Sequence, residues 1–187
     1  MPQLYWAINA PQQSFPALFD WWLGENTLRR HVWPGLATYR ASALTNGFSR
    51  NEIAEQVKII RARPVPPGNV TFNATTTLKR DNGVLATLRP LYEERALVPA
   101  FSWLDNTPPA APTINLIGSS LQISAAEKPR FWVVQTHSSG GLFRRASWTT
   151  RLVSGDSTTV TLPASADEVV VSAVDRAGNA SARIRAR

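Results

Sequence analysis

The stretch VVVSAVDRAGNAS, residues 169–181, carries the most specific local pattern in the chain. Its first half is rich in valine and favours a buried β-strand, and the Asp-Arg-Ala-Gly-Asn sequence that follows favours a tight turn. Small residues after the turn favour an edge strand that pairs back. The pattern therefore predicts a β-hairpin whose first arm is Glu168–Val174.

Short alternating segments precede this hairpin. Turn-forming sequences rich in glycine and serine separate them, and we predict five further strands: Thr113–Ile117, Ser120–Ala125, Arg130–Thr136, Leu142–Thr149 and Ser157–Leu162. Short strands that alternate in this way, with a turn after each, are typical of a β-sandwich.

A proline-rich stretch, DNTPPAAP at residues 105–112, lies before the first of these strands. Prolines so close together exclude a helix and a central strand, so residues 106–112 are predicted to be an extended linker. The linker divides the chain into residues 1–105 and residues 113–187, which we predict to be separate domains.

Residues 1–105 alternate between apolar runs and helical periodicity. We predict three strand-helix pairs: Gln3–Ile8 with Ser14–Asn26, His31–Tyr39 with Arg50–Arg63, and Gly68–Ala74 with Asn82–Tyr92. Repeated βα units predict a parallel sheet. Three units are too few to close a (β/α)8 barrel, so the predicted fold class is α/β plus all-β, with an incomplete barrel before the sandwich. The helical pair Trp21 and Trp22 is predicted to be packed inside.

Composition excludes several function classes. The 187 residues include 20 Lys and Arg against 13 Asp and Glu, for a net charge of +7. Basic residues can neutralise nucleic-acid phosphates, but here they are dispersed and accompany no recognised motif, so we predict no nucleic-acid partner. Cysteine is absent, which excludes disulfides. No apolar run approaches the roughly 20 residues of a membrane span.

The order of the motifs resembles that of a known family. The motifs are Pro2–Trp6, Tyr39-Arg40, Gly68–Ala74 and Ala96–Asp105. They resemble the C-terminal end of the bacterial glycosyl hydrolase-like 10 family, whose members are (β/α)8 barrels and often lipoproteins. Residues 108–187 resemble a fibronectin type III module. The resemblance implies the last three βα units of a barrel, and a glycoside hydrolase acting on glycan chains, with peptidoglycan strands as the substrate class.

Polar and aromatic side chains cluster where the predicted strands end. The carboxyl ends of parallel strands meet at one edge of a sheet, and aromatic faces with amide groups suit sugar rings. The predicted substrate-binding residues are Tyr5, Trp6, Asn9, Tyr39, Arg40 and Asn73. The alternative is that Tyr5 and Trp6 fill the interior.

Glycoside hydrolysis normally needs two carboxyl groups on either side of the scissile bond. The candidates before the linker are Asp20, Glu25, Glu52, Glu55, Asp81, Glu93, Glu94 and Asp105, and none of them forms a suitable pair. Glu52 and Glu55 are predicted to lie on a solvated helix face. We therefore predict no catalytic residue in this chain and expect the pair upstream of Met1. His31 and His137 lack acidic companions, so no metal or other cofactor is predicted.

The leading hypothesis is a segment of a bacterial glycoside hydrolase, inactive by itself, whose partner is a glycan or polysaccharide. Its predicted location, implied by the resemblance, is the cell envelope or the medium. The alternative is a non-catalytic carbohydrate- or protein-binding envelope protein that uses the sandwich. The sequence makes no prediction of the oligomeric state.

Overall fold

The computed structural model describes residues 1–65, 68–79, 83–93, 95–140 and 145–187. Contacts divide the chain into two compact units, Met1–Glu93 and Glu94–Arg187. Four residues named in the sequence predictions, Asp81, Asn82, Glu94 and Leu142, lie outside the described residues.

The first unit contains short helices and two short strands. In chain order they are α1 Phe15–Gly24, β1 Gly35–Ala37, α2 Thr38–Ala43, α3 Glu52–Arg61, β2 Val70–Phe72, α4 Ala74–Leu78, α5 Val84–Leu88 and a 3-10 helix Arg89–Tyr92. Strands β1 and β2 pair in parallel, with Gly35 opposite Val70 and Ala37 opposite Phe72.

Helix α1 shows how this unit buries its apolar side chains. The Ser14 hydroxyl accepts a hydrogen bond from the Ala17 amide at 3.4 Å and caps the helix. Phe15 and Phe19, one turn apart, are fully buried. Trp21 and Trp22 are 55% and 40% exposed, so the prediction that this pair is packed inside is wrong. The buried stripe passes through the phenylalanines.

One hydrophobic core serves the whole first unit. It joins β1, four of the helices and the segment around Leu4, and its fully or almost fully buried members include Leu4, Phe15, Phe19, Leu36, Ile53, Val57, Ile60 and Val84. The short sheet therefore contributes only a few side chains, and most of the burial comes from helices and loops.

The predicted fold class is wrong. Three βα units of a (β/α)8 barrel are not present in the described residues: β1 and β2 have three residues each, and five short helices accompany them. The predicted strand Gln3–Ile8 contributes a single bridge, between Gln3 and Gly35. The predicted strand His31–Tyr39 is regular only at Gly35–Ala37, and Thr38 already begins a helix. The chain is mostly β because of its second unit.

The second unit consists of antiparallel strands. They are β3 Thr113–Ile117, β4 Ser120–Ser124, β5 Phe131–Ser138, β6 Ser147–Ser154, β7 Thr159–Thr161, β8 Glu168–Val174 and β9 Ile184–Ala186. They form a three-stranded sheet in the order β3-β4-β7 and a four-stranded sheet in the order β6-β5-β8-β9. Both sheets contribute to one core, which includes Leu121, Val160, Trp132, Val134 and Val171.

The residues before the prolines pack within this second unit. The Phe101 amide donates to the Ala177 carbonyl at 2.7 Å, and Asn179 Nδ2 donates to the Asp105 carbonyl at 3.2 Å. A side chain at Gly178 would place its Cβ 3.0 Å from the Ala100 Cα. The turn that follows β8 therefore lies directly against the segment 100–105.

Candidate functional site

Three aromatic rings meet beside the carboxyl ends of the two parallel strands. The Tyr5 and Phe72 rings are stacked with their centroids 5.9 Å apart, and Tyr39 meets each of them edge-to-face at 6.2 Å. Pairs of this geometry contribute about 0.5–1.5 kcal/mol beyond the area they bury. We call Tyr5, Tyr39 and Phe72 the aromatic cluster. Phe72 is 51% exposed, so the cluster presents one ring to solvent.

The register of β1 and β2 brings these rings together. Ala37 lies opposite Phe72 at the ends of the paired strands, and Tyr39 follows two residues later in the first turn of α2. Arg40 Nη1 donates to the Tyr5 carbonyl and so holds the segment that carries Tyr5. The Arg40 guanidinium also lies 5.8 Å from the Tyr39 ring centroid.

Asn73 begins helix α4 directly after β2. Its Oδ1 accepts hydrogen bonds from the Thr76 amide and the Thr76 hydroxyl, both at 2.9 Å, in a capping box. The Asn73 carbonyl accepts from the Thr77 hydroxyl at 2.6 Å. The oxygens of Asn73 thus fix the strand-helix junction, and a ligand would have to meet this side chain through Nδ2.

Trp6 and Asn9 lie on the segment that leaves the cluster. Trp6 is 37% exposed, and Asn9 is exposed. Gln56 Nε2 donates to the Trp6 carbonyl at 3.0 Å, and the Ile8 amide donates to Glu52 Oε1 at 2.6 Å. The Gln56 and Glu52 side chains of α3 therefore fix the backbone at Trp6 and Ile8.

Two features of this region were missed by sequence reasoning. Phe72 was placed on a strand but not among the binding residues, although it directly precedes Asn73. Glu52 was predicted on a solvated face, and this is wrong: it is 7% exposed and accepts the Ile8 amide. Glu52 lies two residues after the start of the predicted helix, and its partner Ile8 is 44 residues away, so the local sequence contains no signal of this contact.

The environment of the cluster changes the acidity of one phenol. Burial first, and the neighbouring Tyr39 second, raise the pKa of Tyr5 above its ordinary value of 10.0. A raised pKa means that the folded state holds the phenolic proton more tightly than the unfolded chain. Tyr5 therefore stays a neutral phenol at physiological pH.

Alkaline titration should reveal this shift. We expect part of the ultraviolet absorbance of phenolate to appear only at a pH above the ordinary tyrosine pKa. This part should be absent from the Tyr5→Phe variant. The contribution of the Tyr5 proton to the free energy of unfolding is fully present below the ordinary pKa of tyrosine. It is lost as the pH rises through the raised pKa of the folded state. A late component of the same size in Tyr5→Phe would assign the shift to another residue.

Three acidic side chains of the first unit have partners within the protein. Asp20 is bound by Arg63 at 2.6 Å, Glu55 by Lys58 at 2.7 Å, and Glu52 by the Ile8 amide. Among the described residues, no three His, Asp or Glu side chains are grouped closely enough to hold a metal ion. Nor does any helix in the described ranges have the length and apolar character that a membrane crossing requires.

The comparisons with known proteins give one curated relative. No protein-family model and no solved structure matches the chain. The chain is 31% identical over 134 residues, 65% of its length, to the glycosyl hydrolase YngK of Bacillus subtilis (strain 168). It spans about a quarter of the length of that relative, 26%. This similarity supports a glycosyl hydrolase relationship for the chain.

Proposed function

We propose that the chain contributes a sugar-binding surface to a bacterial glycoside hydrolase of the cell envelope. The surface consists of the aromatic cluster and Trp6, the residue after Tyr5. The observation that carries the proposal is the convergence of the three cluster rings in a chain similar to part of a glycosyl hydrolase. The residues predicted from the sequence other than Arg40, with Phe72 added, supply the contacts.

Stacking is the chemistry that this surface offers. Phe72 and Trp6 are the most exposed of its rings, at 51% and 37%, and a flat aromatic face meets the C–H face of a sugar by dispersion. The Tyr5 phenol, kept neutral, donates or accepts hydrogen bonds with sugar hydroxyls, and Asn73 Nδ2 donates. Arg40 acts by positioning, because it binds the Tyr5 backbone.

The catalytic carboxylates belong, in this proposal, to a part of the enzyme outside this chain. Support comes from three of the described acidic residues of the first unit, since Asp20, Glu52 and Glu55 are each held by partners inside the protein. A general acid must instead reach the glycosidic oxygen, with its companion on the other side of the bond. The chain binds the substrate and a second segment cleaves it.

The proposed substrate class is the glycan strand of peptidoglycan. An exposed stacking surface with few charged groups suits the uncharged N-acetylated rings of such a backbone. Stacking of neutral rings depends little on salt, because screening acts on charges. A charge-driven contact would weaken steeply as salt is raised.

Titration with tetra-N-acetylchitotetraose tests the proposal. We expect the full chain to bind this neutral tetramer, and Trp6→Ala to weaken the binding by about ten-fold, equivalent to about 1.4 kcal/mol. The affinity should change little between low and high salt. Calorimetry measures the affinity of each variant and its dependence on salt. Chromatography of the same samples should show that the tetramer is intact.

Trp21→Ala is the matched control. Trp21 is 55% exposed on α1 and is not part of the aromatic cluster, so its removal should leave the affinity unchanged. An equal loss in both variants would show that any exposed tryptophan serves, and the aromatic cluster would lose its assignment. Cleavage of the tetramer by the chain alone would contradict the placement of the carboxylates elsewhere.

A further inference from the structure

The outer surface of the four-stranded sheet carries side chains that its core does not use. Trp132 and Val134 point into the core, so the alternating residues of β5, including Gln135 and His137, point outward. The pairing places Gln135 between Thr150 of β6 and Val170 of β8. Arg185 of β9 lies opposite Val170 and extends this row to the edge of the sheet.

A groove of about 290 Å³ lies on this outer surface. Its lining residues are Gln135, Trp148, Val170, Arg183 and Arg185. Trp148 is 43% exposed, and its ring lies 5.0 Å from the His137 ring, which braces one side of the indole. Val170 is 6% exposed and gives the groove an apolar floor. We call these five lining residues the outer groove.

The charge beside the groove is positive. Glu168 forms ion pairs with Arg185 at 2.8 Å and with Arg187 at 3.6 Å. Within the described ranges, Arg183 has no carboxylate partner. Arg185 and Arg187 thus share one carboxylate, and the Arg183 guanidinium remains for a ligand anion.

We propose that the outer groove binds a sugar that carries a carboxylate, as part of an acidic polysaccharide. The sugar ring stacks on Trp148 above Val170, the Gln135 amide bonds a ring hydroxyl, and Arg183 binds the carboxylate. A guanidinium can bind a carboxylate through two parallel hydrogen bonds, which fixes the orientation of the ring. This site lies in the second unit and does not depend on the aromatic cluster.

The groove favours a sugar acid over single-stranded nucleic acid. Proteins that bind single strands stack successive bases on several aromatic side chains along a basic track. The outer groove has one tryptophan, Trp148, next to Val170. Its volume of about 290 Å³ accommodates little more than one sugar ring. A single stacked ring with one anchored carboxylate uses four of the five lining residues, and the fifth, Arg185, is paired with Glu168.

Affinity electrophoresis of the full chain in gels containing polygalacturonate tests the site. The expected result is retardation that Trp148→Ala and Arg183→Gln each weaken by about ten-fold. Methyl-esterified polygalacturonate has the same rings without the charge, and it should retard the chain at least about ten-fold less. Retardation that survives Trp148→Ala, or equal retardation by the ester, would overturn the proposal, and so would the absence of any retardation.

Two variants separate this site from the general basicity of the chain. Arg176→Gln removes the same charge from an exposed position in the turn after β8 and should leave the retardation unchanged. Trp21→Ala should also leave it unchanged. If Arg176→Gln weakens binding as much as Arg183→Gln, the attraction is a general polyanion effect and the outer groove is not a site. Tighter binding of oligothymidylate that depends on Trp148 would replace the sugar acid with nucleic acid.

Discussion

Gly155→Ala should unfold the second unit or reduce its stability by at least about 3 kcal/mol. An added Cβ would lie 1.9 Å from the Pro129 carbonyl oxygen and 2.8 Å from its carbon. Both are backbone atoms, and the Gly155 amide is tied to the Arg130 carbonyl at 3.2 Å, so neither segment moves aside easily. Hydrogen exchange of the β5 and β8 amides measures the loss.

Gly118→Ala provides the comparison within the same unit. Gly118 has a φ of +57° in the two-residue turn between β3 and β4, and nothing lies within 4 Å of an added Cβ. An alanine there is strained only in its backbone, at a cost of about 1–2 kcal/mol. If the two variants were equally stable, the close approach of Pro129 to Gly155 would have no energetic significance.

Glu52→Ala should destabilise the first unit by about 2–4 kcal/mol. The substitution leaves the partly buried Ile8 amide without its acceptor and removes a partner, at 3.2 Å, of Gln56 Nε2. A buried donor that loses its acceptor costs more than the hydrogen bond itself contributes. Urea unfolding followed by tryptophan fluorescence gives the difference in the free energy of unfolding.

Glu55→Ala is the control on the same helix. Glu55 is half exposed and pairs with Lys58, also exposed, at 2.7 Å, and such pairs contribute little to stability. We expect a change within about 0.5 kcal/mol. Equal losses from the two substitutions would show that Glu52 acts only through the propensity of α3 to form a helix.

The same contacts explain why the strand Gln3–Ile8 could not be predicted correctly. Its apolar run is typical of a buried strand, and Gln3 does form a bridge to Gly35. From Trp6 onward, however, the backbone bonds to the side chains of Gln56 and Glu52. These partners lie 50 and 44 residues away, so local periodicity contains no sign of them.

The hairpin at residues 169–181 was easier to predict because its determinants are local. The valine-rich run forms β8, and the turn that follows is closed by the Asp175 carboxylate, which accepts the Asn179 amide at 2.8 Å. The pairing of β8 with β9 begins later, at Val171 opposite Ile184. Turn chemistry is visible in five residues, whereas the extent of pairing depends on the rest of the sheet.

The candidate site shows the same difference between residues with local signals and residues whose contacts are long-range. Tyr5 and Tyr39 were predicted as binding residues because both lie near the end of an apolar run, and the structure places their rings together. Phe72 and Glu52 were missed because their importance comes from the register of β1 with β2 and from the packing of α3. Residue type predicts which chemistry is present, and long-range pairing determines which groups meet.

The contacts between segment 100–105 and the turn after β8 bear on how such a unit could move between proteins. Phe101 and Asp105 are hydrogen-bonded to Ala177 and Asn179, on the far side of the prolines in the chain. A gene fusion that joined the second unit to a new neighbour at the prolines would leave this turn without its partners. A segment that is transferred to another protein with this turn intact must therefore begin before Phe101. The recombination point in the gene must then lie upstream of the codons for the prolines.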